Sequence, residues 1–154
     1  MKKLQFKTTI QAPVARVYRT MLGIGNIETY RQWTAEFNPS STYEGSWDKG
    51  AKIRFIGTDE NGHRGGMVAE IAEHIPNQFV SIRHYGILDG NDEITDGPEV
   101  EKWAGGLENY SFEGDGNATI VTVDVDVTED FIEYFNITWP KAFRKLKEIS
   151  EKEE

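Results

Sequence analysis

Two stretches of the chain hold polar groups where apolar neighbours would be expected. In WAGGLENYSF, residues 103–112, Glu108, Tyr110 and Phe112 recur with period two; in QFVSIRHYGIL, residues 78–88, Val80, Ile82 and His84 do the same. Read as β-strands, each trio lies on one face, because successive side chains alternate across a sheet. A carboxylate therefore shares a face with rings that gain by burial. Left unpaired, it costs several kcal/mol or takes up a proton. Glu108 needs a partner: His84, a tyrosine hydroxyl, water or a bound molecule. Together Glu108, His84 and Tyr110 could anchor and orient a ligand in an otherwise apolar pocket. The same residues also suit a structural pair, or a glutamate at a cavity mouth that reaches water. Acid–base catalysis would ask for more, a tuned pKa.

The facing strand supports this parity. A four-residue turn at GDGN, residues 114–117, pairs Glu113 with Ala118, which sets Tyr110 opposite Val121 and Glu108 opposite Val123. Val121, Val123 and Val125 form the apolar face of that strand, so Glu108, Tyr110 and Phe112 turn inward, and Asp124 and Asp126 turn to water. Other strands are expected to add Tyr43, Trp47, Ile53, Phe55, Met67 and Ile71 to this inner face, and the last helix Phe131, Phe135 and Trp139.

Other chemistry fits poorly. No H-x-x-x-H, G-x-S-x-G or G-x-x-x-x-G-K-[ST] pattern occurs. The acidic segment DGNDEITDGPEVEKWAG, residues 89–105, starts like a calcium loop but has Ile94 and Val100 where a glycine and a closing acid belong. It reads as a solvated loop with Trp103 as a hinge or latch at its end. HRGGM, residues 63–67, precedes a strand and lacks the helix N-terminus of a phosphate loop, so a bulge or close backbone packing explains its glycines better. No metal site and no cofactor is expected.

The elements that must position these groups follow from periodicity. Leu4 to Ile10 alternate as a first strand. Pro13 suits the start of a helix carrying Val14, Val17, Tyr18 and Met21; Asn26 suits the cap of a second, with Ile27, Tyr30, Trp33 and Phe37 on one side. Six further strands follow, separated by short turns that imply antiparallel neighbours. Thr128 is a candidate cap for a long helix whose stripe runs Phe131, Phe135, Trp139, Ala142, Leu146, Ile149 and contains Pro140. The expected fold is α+β: a seven-stranded curved antiparallel sheet wrapped around a long C-terminal helix, with two short helices between strands one and two.

Bulk properties bound the function. A chain of 154 residues suits one domain, here 1–154. A net charge of −9 disfavours nucleic acid and anionic lipid surfaces. With no cysteine there is no disulfide, thiolate metal site or thiol nucleophile. The opening MKKLQFKTTIQAP lacks the apolar run of a signal peptide, and no stretch has the length of a membrane helix, so a cytoplasmic location without membrane insertion is expected.

The element order, with IQAPVARVY, WDKGAKIRF, ENYSF and WPKAFRKLKE, resembles the START-like, birch-pollen-allergen-like superfamily, and within it the bacterial branch named for the activator of the heat shock protein 90 ATPase. The resemblance implies a helix-grip fold with a cavity between sheet and long helix. On that implication Trp33, Trp47, Phe55, Met67, Ile82, Trp103, Phe112, Phe131, Phe135 and Trp139 are expected to line a site for a small apolar or aromatic molecule, with His84, Glu108 and Tyr110 as its polar contacts. Two alternatives are a chaperone-associated protein–protein module, which the branch name suggests, and a cyclase- or dehydratase-like enzyme using Glu108 and His84.

Overall fold

In a computed structural model, residues 1–152 are described. The chain runs β1 (Lys2–Ile10), α1 (Val14–Leu22), α2 (Ile27–Thr34), β2 (Thr42–Gly45), β3 (Lys52–Thr58), β4 (Arg64–Ile75), β5 (Phe79–Asp89), β6 (Asp92–Ile94), α3 (Pro98–Glu101), β7 (Leu107–Asp115), β8 (Ala118–Val127), a 3₁₀ turn (Glu129–Phe131) and α4 (Ile132–Lys152). Among the described residues the strands form one antiparallel sheet in the order β1-β8-β7-β5-β4-β3-β2, with β6 added beside β5. The fold class is the expected one. The difference is the acidic segment after β5, which contains β6 and α3 and so makes the sheet eight-stranded.

Local chemistry sets the boundaries. Gly23, at φ 71°, ends α1 in the left-handed conformation that a residue without Cβ tolerates best. Asn26 caps α2, its side chain accepting from the Glu28 amide at 3.1 Å. That helix stops at Thr34, so Phe37 packs from the following loop instead. The β7–β8 turn is tighter than expected: Asp115 pairs with Ala118 across Gly116 and Asn117, which places Tyr110 opposite Val123 and Glu108 opposite Val125. A glycine with positive φ in the first turn position suits the twist of a hairpin, and this two-residue loop beats the four-residue one. The shift is two residues, so the inward parity of Glu108, Tyr110 and Phe112 is unchanged.

Two irregularities bend the sheet and re-aim its side chains. On β4, Ile71 pairs with Ile82 and Glu73 with Ser81, leaving Ala72 extra; the alternation flips and His74, opposite Val80, turns inward. On β5, Val68 faces Gly86 while Ala69 faces His84, leaving Tyr85 extra; beyond it Ile87 turns inward with Met67, and Leu88 packs with Ile56 and Val68 in a small cluster on the other face. The HRGGM glycines reflect close packing: a Cβ on Gly66, at φ 145°, would lie 1.9 Å from the Phe55 carbonyl oxygen.

The main core fills the inner end of the space between sheet and α4. Trp33, Trp139, Phe143, Leu146, Val121 and Val123 are buried there with Val17 and Met21 of α1. Each such side chain contributes about 1.5–3 kcal/mol on burial. The stripe is buried at Trp139, Ala142 and Leu146 and half-buried at Phe135 and Ile149; Phe131, in the 3₁₀ turn before α4, is 54% exposed, and beside the stripe Tyr134 is 41% and Ile137 53% exposed. Among the described residues no helix is long and apolar enough to cross a membrane, and no group of three His, Asp or Glu side chains is arranged to hold a metal ion.

Candidate functional site

The β5–β7 ladder builds the polar cluster. Ile82 pairs with Glu108 and Val80 with Tyr110, and the pairing continues through the His84 amide to the Gly106 carbonyl at 3.0 Å. His84 thus lies diagonal to Glu108 on the inner face, within reach of a long side chain. Its Nε2 donates to Glu108 Oε1 at 3.1 Å, and the Tyr110 hydroxyl donates to Oε2. A carboxylate accepts only, so the ring proton in this contact sits on Nε2. His84 Nδ1 is buried with no partner among the described residues. Glu108 is held from both sides, one bond on each oxygen, with lone-pair positions left over. Burial first, and then the charge of Glu108, push the Tyr110 hydroxyl well above the ordinary phenol range, which keeps it a donor to that carboxylate. Burial and the same charge raise Tyr30 too.

Beside this cluster lies a cavity of about 350 Å³. It sits between the sheet and the N-terminal end of α4. His84 and Glu108 form its polar wall, with side chains only 13% and 20% exposed. Met67, Ile87, Val125 and Val127 line it from the sheet, and Trp103, Phe131, Tyr134 and Phe135 supply rings. Asp126 borders it, but its carboxylate accepts from the Leu107 amide at 2.9 Å and lies 3.7 Å from Lys3.

The thirteen residues expected from the sequence divide by position. Met67, His84, Trp103, Glu108, Phe131 and Phe135 border the cavity. Trp33, Trp47, Ile82, Tyr110, Phe112 and Trp139 are buried in the core, and Phe55 packs against it. Tyr110 reaches the site through its hydroxyl bond to Glu108. Trp33 and Trp47 spend their indole N–H groups on the carbonyls of Met21 and Leu22, at 2.9 and 3.0 Å, which fixes them as structural pegs under α1. Ile87 and Tyr134 also line the cavity: the first is turned in by the Tyr85 bulge, and the second sits on α4 one residue before Phe135, beside the apolar stripe. The acidic segment contributes Trp103, backed by Val100, which is buried. Thr128 precedes the 3₁₀ turn but makes no side-chain cap bond.

A second hollow of about 360 Å³, near Asn38, Thr58 and His63, carries no comparable buried cluster.

No protein-family model and no curated protein matches this sequence. Solved structures do match over its length. The Aha1 dimer from Colwellia psychrerythraea is 22% identical with a TM-score of 0.68, covering 99% of this chain and 98% of that one. Protein NE0264 from Nitrosomonas europaea is 16% identical with a TM-score of 0.71, covering 97% and 94%. DynU16, from the dynemicin biosynthetic locus, is 15% identical with a TM-score of 0.67, and 99% of this chain spans 48% of that one. At these identities the likeness is one of fold: a curved antiparallel sheet gripping a long C-terminal helix.

Proposed function

We propose that this protein binds a small, mostly apolar or aromatic molecule between the sheet and the N-terminal end of α4. The observation that carries the reading is the cavity of about 350 Å³, which has apolar walls and a carboxylate fixed on one of them. That combination is the usual build of a small-molecule site: apolar surface for affinity and a few placed polar groups for orientation. The fold likeness supports placing the chain in the START-like superfamily, with Met67, His84, Trp103, Glu108, Phe131 and Phe135 as direct contacts and Tyr110 as the residue that positions Glu108. Titrating fatty-acid-like, flavonoid-like and polyketide-like compounds should shift amide resonances of residues 82–84, 108–112 and 131–139. Shifts confined to the outer face of the sheet would overturn the reading.

A second reading has an observation of its own. Phe131 in the 3₁₀ turn and Tyr134 and Ile137 on α4 expose apolar surface, and the Colwellia neighbour is a dimer. Such a face suits a protein contact, with a chaperone or a second copy. It gains if no small ligand binds while adding a chaperone perturbs residues 131–137.

A further inference from the structure

The cavity's ionic character narrows the ligand class, an inference that rests on the binding reading above. Among the described residues its lining contains no lysine and no arginine. Two acids border the cavity: Asp126 already has Lys3 as a counter-charge at 3.7 Å and a bond from the Leu107 amide, whereas Glu108 is bonded by His84 and Tyr110 and pairs with no lysine or arginine among the described residues. His84 lends one N–H to Glu108, and its other ring nitrogen is buried without a partner among the described residues. The rings of Trp103, Phe131, Tyr134 and Phe135 line the same cavity.

We infer that the cavity selects lipophilic primary amines, taking the ammonium group against Glu108 and the hydrocarbon tail between α4 and the sheet. The ammonium brings donors to the unfilled lone pairs of Glu108 and a charge opposite to it. Aromatic faces attract the same cation through their quadrupoles. Stripping water from an ammonium opposes binding, but a carboxylate already oriented by two bonds needs little reorganisation to receive it. A fatty acid of equal length would bring a second carboxylate into the same apolar space, where like charges repel strongly. The overall charge of −9 adds attraction for cations from a distance.

The test uses isosteric trios on the full chain: octylamine, octanol and octanoate, then phenethylamine, phenethyl alcohol and hydrocinnamate. Affinity is read by calorimetry and location by NMR. The expected order is amine, alcohol, acid, with the amine at least about tenfold tighter than the alcohol, which corresponds to about 1.4 kcal/mol. Glu108→Gln should bring the amine to within about threefold of the alcohol, a residue of less than one tenfold step. Glu113→Gln, which removes an exposed charge from the same strand, should leave the preference intact and so separates the site from general surface attraction. Circular dichroism of both variants checks that they fold. Amine and alcohol binding equally, octanoate binding tightest, or a preference that survives Glu108→Gln would each overturn the amine assignment while leaving the apolar site standing. If no member of either trio moved cavity resonances, the binding reading itself would fall with it.

Discussion

His74 and His84 stand on neighbouring strands, both face the inner side of the sheet, and both belong to clusters containing a tyrosine, yet their circumstances are opposite. His74 Nδ1 donates to the Trp47 carbonyl at 2.7 Å, leaving Nε2 to accept from the Tyr18 hydroxyl at 2.5 Å. Both ring nitrogens are spent, and the cluster ties α1 to β4 and to the segment before β3. His84 uses one nitrogen on Glu108, leaves the other without a partner, and borders open space. Similar residue types thus make a structural tie at one end of the sheet and a candidate binding wall at the other. What separates them is the packing: at the inner end Phe112 closes edge-on over Tyr18 with centroids 5.6 Å apart, whereas the cavity bordered by His84 and Glu108 is walled in part by the half-exposed Phe131 and Tyr134.

The contrast can be broken most forcefully by truncation. Trp139→Ala at the packed end should cost about 3–5 kcal/mol, the usual range for removing a core ring. Phe131→Ala at the open end should stay within about 0.5 kcal/mol, as for an exposed site. Urea unfolding of the two variants measures both, and similar losses would erase the distinction between a filled end and an open one.

Next in size are the tyrosines. Tyr18→Phe removes the donor to the half-buried His74 Nε2 and should destabilise by about 0.5–1.5 kcal/mol, the usual net worth of one hydrogen bond. If ligand binding were lost in this variant while stability held, His74 rather than His84 would belong to the site.

The alkaline limb of stability gives a smaller and more selective signal. Tyr110 holds its proton more tightly in the folded chain than in the unfolded one, because burial, and then the charge of Glu108, disfavour the phenolate. Its contribution is whole below the unfolded phenol's range, near about pH 10, and is lost as pH rises from there toward the folded-state value. Tyr110→Phe should therefore flatten the fall of thermal stability above about pH 10. Tyr134→Phe should flatten it less: burial raises that group too, but it is 41% exposed. Equal flattening by the two would deny the cluster its buried character.

How legible this was in the sequence depends on the periodicity of each element. Strands β1, β7 and β8 alternate without interruption, so the inward face of Glu108, Tyr110 and Phe112 could be read directly. The turn length at Gly116 could not, because GDGN serves a two- or a four-residue loop and the choice moves every pair by two without changing parity. The inward turn of His74 and Ile87 was invisible, since each depends on one extra residue, Ala72 or Tyr85, that carries no compositional mark. The acidic segment read as a loop because three residues of β6 are too few to show a period. They are held by pairing with β5 and by Glu93, which bonds Lys52 at 3.0 Å and also Arg54. The cavity itself is a matter of how far α4 stands from the sheet, and pattern alone says nothing about that distance.

The four tryptophans offer the most direct test, because Trp103 borders the cavity whereas Trp33, Trp47 and Trp139 are buried in the core. A ¹H–¹⁵N spectrum recorded during octylamine titration resolves one indole signal from each. The Trp103 indole should move progressively and saturate while those of Trp33 and Trp47 stay in place. A Trp103 signal that never moves, or movement of the Trp33 and Trp47 indoles instead, would contradict a binding site at the open end of the grip.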